Sequence, residues 1–218
     1  MKTPSVFGVT DYWFPKIGGM ERSIENLCLC LCGDFKVALL TGGEPGEDAS
    51  TFPFQVSTLP IEGDAGYYGA ALKRIRAAIG PRIVHLFGFS YRWPHAQAEL
   101  VRRLARLPDT AIVVKTPTSG DARRYLSTSH AATAGSIHCY IALTTAIEQE
   151  LRECGIPRER ICRLPNGVRT DWFLPVDDEH RRGARLHFGL PLDRPVVGFC
   201  GRFERRKRID LLAAALAL

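Results

Sequence analysis

Pro195-Val-Val-Gly-Phe-Cys-Gly-Arg-Phe-Glu-Arg-Arg-Lys-Arg-Ile-Asp-Leu-Leu212 reads as a strand, a turn and a helix. Residues 195–200 have the continuous apolar character of a strand covered on both faces, and Arg208 to Leu218 is rich in helix formers. A turn between two such elements aims free backbone N–H groups and the positive end of a helix dipole at whatever sits above the sheet. Gly201 permits close approach there, and Arg202 and Lys207 add a bidentate fork and a compact ammonium. We read this loop as a phosphate holder, against the alternative of a solvated charge run capping a surface helix.

Upstream, strand-like and helix-like runs alternate. Strands are expected at Ser5–Thr10, Lys36–Thr41, Phe54–Leu59, Arg82–Phe87, Thr110–Lys115, Cys139–Leu143 and Ile161–Leu164. Helices are expected at Met20–Cys32, Tyr68–Ile79, Pro94–Leu107, within Asp121–Ser129, and at Thr145–Cys154. Strands separated by helices pair in parallel through right-handed crossovers. The expected fold class is therefore α/β, a Rossmann-like parallel sheet with helices on both faces and a crevice at the strands' carboxyl ends. Pro165-Asn-Gly-Val, the recurring prolines 175, 191 and 195 and a polar helix over Asp177–Phe188 mark a boundary. This divides the chain into a first domain at 1–164, a linker at 165–194 and the start of a second α/β unit at 195–218. The last apolar helix has no cap or following glycine, so we expect the second unit to be truncated.

Hydrophobic residues at 45% and charged residues at 24% are ordinary for a soluble globular chain, and no run approaches the roughly 20 apolar residues of a membrane span. Residues 1–10 lack the longer apolar core and cleavage site of a signal peptide, which leads us to expect a cytoplasmic protein. The net charge of +6 is concentrated late: Leu151 to Leu218 carries 14 Arg or Lys against 9 Asp or Glu. That balance suits a phosphate-bearing small molecule or peripheral contact with an anionic membrane; aromatic residues between the basic ones are too sparse for single-stranded nucleic acid. Seven cysteines without any Cys-x-x-Cys pair, Cys28, Cys30 and Cys32 among them, are read as small buried or partly buried thiols, with no metal site and no disulfide framework.

The pair Gly18-Gly19 follows the first strand and opens the first long helix, where a ligand can approach backbone. It has neither the G-x-G-x-x-G nor the G-x-x-x-x-G-K-[ST] spacing, which disfavours nicotinamide and ATP sites of those types. His85 lies within a strand and reads as a packed core histidine; His130 and His138 have no partner legible in the sequence.

Phe14-Pro-Lys-Ile-Gly-Gly-Met-Glu-Arg22, Ile83-Val-His-Leu-Phe87, Cys139-Tyr-Ile-Ala-Leu-Thr-Thr145, Ile161-Cys-Arg-Leu-Pro-Asn-Gly-Val-Arg-Thr-Asp-Trp-Phe-Leu-Pro175 and the loop at 196–212 together resemble glycosyltransferase family 4. Those are retaining enzymes of the GT-B type built as two facing Rossmann-like domains. The resemblance implies transfer of a glycosyl group from a nucleotide-diphosphate sugar to a sugar, lipid-linked or small-molecule acceptor, with no cofactor and no metal. It implies that Gly18 and Gly19 approach the donor phosphates or the acceptor, that Asn166 and Gly167 shape the inter-domain crevice, and that Gly201, Arg202 and Lys207 bind the donor diphosphate.

Three departures stand out. Arg208 occupies a position where the family usually has glycine. Thr116-Pro-Thr-Ser-Gly-Asp121 replaces a segment where many relatives place a sugar-contacting histidine; Thr118 and Ser119 either donate hydrogen bonds to substrate in its place or serve as turn and cap. The family's two-glutamate motif belongs to a later part of the second domain, so the catalytic residues are unknown and little or no turnover is expected of these 218 residues alone. A non-catalytic α/β module binding an anionic ligand is the competing reading.

Overall fold

A computed structural model of the chain describes residues 3–11, 18–42, 50–59, 64–201 and 203–217. The described residues fall into two compact units, 1–167 and 168–218.

The first unit holds seven strands, β1 (Ser5–Thr10), β2 (Lys36–Gly42), β3 (Gln55–Leu59), β4 (Arg82–Leu86), β5 (Thr110–Thr116), β6 (Cys139–Ala142) and β7 (Ile161–Arg163). All neighbours pair in parallel, in the order β3-β2-β1-β4-β5-β6-β7. Its helices are α1 (Gly19–Leu31), α2 (Asp64–Ala77), α3 (Pro94–Leu104), α4 (Asp121–Leu126) and α5 (Thr145–Glu153). The expected elements form to within a few residues. A 3-10 turn at Ala131–Ser136, for which the sequence carries no periodic signal, is added.

The alternation of strand side chains sets the two layers. Phe7, Val9, Val84, Leu86, Ile112, Val114, Tyr140 and Ala142 face one way and pack against α2, α3, α4 and α5 in the larger core. Val6, Val37, Leu39 and Phe87 face the other way and pack against Ile24 and Cys28 of α1. Ile24 and Cys28 are one helical turn apart and share the inward face, whereas Cys30 is rotated to the outer face. Burial pushes the Cys28 thiol up to about 12, with Cys32 nearby adding to it. Cys30, Cys162 and Cys200 are exposed, which corrects the expectation of thiols at least partly buried throughout.

His85 is buried in β4 and stacks on Phe87, ring centroids 4.4 Å apart, as a core histidine should. His130 is fully buried beside Phe89 and Tyr125. His138 accepts a hydrogen bond at Nδ1 from the Ile112 N–H (3.1 Å).

The second unit contains α6 (Asp178–His187), a 3-10 turn at Arg205–Lys207 and α7 (Ile209–Leu216). Asp177 caps α6, its carboxylate accepting from the His180 N–H at 2.8 Å. The strand expected over Pro195–Cys200 does not form: Val196, Val197 and Phe199 are exposed, and no described segment offers them a ladder. An all-apolar strand depends on partners along both edges and cover on both faces, and local sequence supplies neither. Among the described residues no helix is long and apolar enough to cross a membrane.

Burial lowers both buried imidazoles to about 4, helped by the Lys115 charge at His85 and by His95 at His130. The unfolded chain takes up these protons from about pH 6.5 downward and the folded chain only near 4, so stability falls as pH drops through that window. The expected slope is at most about 1.4 kcal/mol per pH unit for each ring. Melting temperatures of His85→Gln and the parent chain from neutral to acid pH check this: the variant's decline should be shallower, and equal slopes would contradict it.

Candidate functional site

The strand order makes β1 the point where the sheet's winding reverses. After β1 the chain crosses through α1 on one face to reach β2; after β4 it crosses through α3 on the other face to reach β5. Loops leaving adjacent strands in opposite directions open a crevice at the carboxyl ends, where α/β sheets of this kind bind ligands. A pocket of about 260 Å³ lies there, lined by Asp11, Glu21, Gly88, Ser90, Tyr91 and Pro117 among others.

Asp11, the residue after β1, is held from two sides. The Tyr68 hydroxyl on α2 donates to one carboxylate oxygen (2.7 Å) and the Ser90 hydroxyl to the other (2.5 Å). Ser90 is itself fixed, its Oγ accepting from the Trp93 N–H (2.8 Å) and its N–H donating to Gln97 Oε1 (3.0 Å), while Gln97 Nε2 donates to the Gly88 carbonyl (3.0 Å). This network ties the ends of β1 and β4 to α2 and α3.

Gly18 is the extended N-cap of α1, and its carbonyl accepts from the Arg22 N–H (3.1 Å). The Glu21 carboxylate folds back onto this end, where a Cβ on Gly18 would collide with it. The dipole's positive end therefore already faces a carboxylate. Around a side chain built on Gly19, no atom of the described residues lies within 4 Å.

The loop after β5 is tied inward. Ser119 Oγ (3.2 Å), the Gly120 N–H (2.7 Å) and the Arg123 N–H (3.0 Å) all donate to the buried Glu150 carboxylate of α5. Burial raises the Glu150 carboxyl, but the donors at Gly120, Arg123, Ser119 and Ala122 outweigh it and the net shift is downward. Gly120, at φ 95°, takes a left-handed conformation that a side chain resists. Thr118 hydrogen-bonds to Tyr91, whose hydroxyl also donates to Asp121 (2.8 Å). Asp121 is raised by burial, with Glu150 adding to it against the Tyr91 hydrogen bond. Thr118 and Ser119 thus have partners within the protein, and it is the Glu150 carboxylate, not the Ser119 hydroxyl, that accepts the N–H groups at the start of α4.

A cluster that the sequence reading passed over joins three distant segments. Lys115, at the end of β5 and 6% exposed, donates from Nζ to Ser23 Oγ on α1 (2.6 Å) and to Asn166 Oδ1 (2.7 Å), and Ser23 Oγ donates to the same Asn166 oxygen (2.9 Å). Burial lowers its ammonium to about 8. Asn166 is thereby held by β5 and α1, while Gly167 beside it is exposed, with nothing among the described residues near its missing side chain. The available signal was a lone lysine closing the apolar run Ala111-Ile-Val-Val114.

In the second unit Gly201 and Lys207 are exposed, and Arg202 lies outside the described residues. Arg208 adopts φ 49° and pairs with Asp210 at 3.1 Å. A left-handed backbone costs a non-glycine residue about 1–2 kcal/mol, which accounts for the family's glycine here. Arg181, Arg182, Arg185 and Arg194 line a basic groove of about 560 Å³ within the same unit. Among the described residues no three His, Cys, Asp or Glu side chains converge as a metal site.

Comparisons with known proteins agree with this fold. The sequence model of Glycosyltransferase Family 4 matches residues 17–172. A GDP-mannose-dependent alpha-mannosyltransferase of Mycobacterium tuberculosis is 27% identical over 96% of the chain and 58% of its own length. A D-inositol 3-phosphate glycosyltransferase of Xylanimonas cellulosilytica is 38% identical, over only 32% of the chain and 17% of its own length. Among solved structures, HepE of Anabaena in complex with UDP and glucose superposes with a TM-score of 0.71 at 12% identity, covering 98% of the chain and 57% of HepE. A glycosyltransferase from Rickettsia africae gives 0.65 at 15% identity, over 99% of the chain and 57% of its own. At these identities the superpositions establish a shared GT-B-type fold. The chain spans somewhat over half the length of the relatives that it matches end to end.

Two substitutions test the anchors. Glu150→Ala should cost about 1–3 kcal/mol in chemical denaturation by leaving the Gly120 and Arg123 N–H groups unpaired, and Glu150→Gln, which keeps an acceptor, should cost less. Equal losses would show that acceptance of those bonds is not what matters. Lys115→Met keeps the stem and removes the ammonium; trypsin should then cut after Arg163 or Arg169 severalfold faster, and an unchanged cleavage rate would mean that Asn166 is held by something else.

Proposed function

The chain belongs to glycosyltransferase family 4, and from that premise we propose that it forms the acceptor-side domain and the first donor-side elements of a retaining transferase. The enzyme moves a glycosyl group from a nucleotide-diphosphate sugar to a sugar, lipid-linked or small-molecule acceptor. The observation that carries this reading is the pocket at the β1/β4 reversal, bordered by the start of α1 and lined by fixed polar groups. The nucleotide-sugar donor is supported by the names of relatives, a GDP-mannose-dependent enzyme and a structure with UDP bound.

In this mechanism cleavage of the sugar–phosphate bond develops negative charge on the departing diphosphate. The Gly201 backbone, Arg202 and Lys207 supply preorganised donors and positive charge for it, needing no metal. Asn166 and Gly167 shape the approach to the crevice, with Asn166 held by Lys115 and Ser23. The acceptor is received at the ends of β1 and β4, close to Gly18 and Gly19. Thr118 and Ser119 border the site by their loop, with Glu150 positioning that loop through its backbone.

The basic groove lined by Arg181, Arg182, Arg185 and Arg194 favours one second reading, a non-catalytic module that holds an anion. Titration with UDP, GDP, their sugars and inorganic pyrophosphate separates the two. The transferase reading expects a preference for one nucleotide, and Arg202→Ala and Lys207→Ala each weakening diphosphate binding by about 1 kcal/mol or more, roughly fivefold. Pyrophosphate binding equal to that of every nucleotide, and unaffected by both substitutions, would favour the module.

A further inference from the structure

We propose that the pocket at the ends of β1 and β4 selects as acceptor a neutral polyhydroxylated ring and rejects rings that carry phosphate or carboxylate. The proposal rests on the transferase reading above and adds the acceptor's chemical class.

Two carboxylates, Asp11 and Glu21, line the pocket. Neither is easily turned away. Asp11 is gripped through both oxygens by Tyr68 and Ser90, and Glu21 sits over the first turn of α1. A helix start would otherwise be the natural seat for a phosphate. Here Glu21 fills it with an anion belonging to the chain itself.

Arg92 is the one cationic side chain among the described residues lining the pocket, and its guanidinium lies over the Trp93 ring, 4.5 Å from the centroid. A phosphate ester entering this space meets two fixed like charges in a partly desolvated site, where repulsion is stronger than in water. A neutral ring offers hydroxyl donors to the same oxygens, and charge-assisted bonds of that kind are strong.

Aromatic walls fit the other half of such a ligand. Phe87, Phe89 and Tyr91 line the pocket; Phe87 and Phe89 are almost wholly buried, and exposed Tyr91 offers aromatic surface to the C–H groups of a sugar or cyclitol. Tyr125, 3% exposed, stacks on Phe89 at 5.3 Å, and its hydroxyl has no hydrogen-bond partner among the described residues. That hydroxyl lies within electrostatic reach of Asp121 and Asp11. The volume of about 260 Å³ is just below the usual small-molecule range of about 300–1,000 Å³ and suits a single ring.

Matched pairs of probes test the inference on the 218-residue chain: myo-inositol against inositol 3-phosphate, and methyl α-D-mannoside against mannose 6-phosphate. Affinities are read by ligand-observed NMR. The neutral member of each pair should bind about tenfold tighter, and Glu21→Gln should shrink that ratio severalfold. Asp11→Asn should shrink it further; if that variant fails to fold by circular dichroism, Glu21→Gln decides alone. Equal or tighter binding of the phosphorylated member overturns the proposal, as do binding of neither member and a ratio unmoved in the folded variants. UDP and GDP binding in the same samples reports separately on the transferase reading. Loss of nucleotide binding with the sugar preference intact would remove that reading and leave the pocket's selectivity standing.

Discussion

The reversal of winding at β1 is the constraint from which the site follows. One strand pairs with β2 on one edge and β4 on the other, so the segments leaving β1 and β4 depart to opposite faces of the sheet. Register brings Val9 level with Leu86, and Leu86 level with Val114. The residues that follow, Asp11, Gly88 to Tyr91 and Lys115 to Pro117, therefore emerge along one rim. Nothing in these side chains makes the crevice; they furnish it. The chemistry varies with what the rim residues are, while the place is dictated by strand order.

Two polar systems then make the rim rigid in different directions. The bonds among Asp11, Tyr68, Ser90, Gln97 and Gly88 brace it against α2 and α3, on the side of the larger core. Lys115, Ser23 and Asn166 brace it through α1, on the opposite side. Glu150 fixes the remaining loop from α5. Each is a buried or half-buried group whose partners come from far along the chain, so the crevice keeps its form only in the folded sheet.

Much of this was legible beforehand because it depends on short-range patterns. Apolar runs of strand length alternating with amphipathic segments disclosed all seven strands of the first unit, and the helix expected from Met20 begins one residue earlier, at Gly19 of the glycine pair. What escaped depends on contacts across the sequence. Lys115 looked like the polar end of a strand, and only the packing of α1 against the sheet reveals that it reaches Ser23 and a residue about fifty positions later. Ser119 was open to two roles, and its bond to Glu150, a residue from another helix, is one that local sequence does not show. The failure at 195–200 has the opposite cause: its residues are suited to a buried strand, but a strand exists only against neighbours. Arg208 was marked as a departure from the family, and its left-handed backbone gives the steric reason.

The thiol row on α1 turns that helix into a gauge of its own seating. Alkylation needs the thiolate, so a reagent at neutral pH would mark exposed Cys30 promptly and spare Cys28, which is sealed against the sheet and held to its proton. Labelling at Cys28 then reports the fraction of molecules in which α1 has lifted away, and with it the Ser23 arm of the clamp on Asn166.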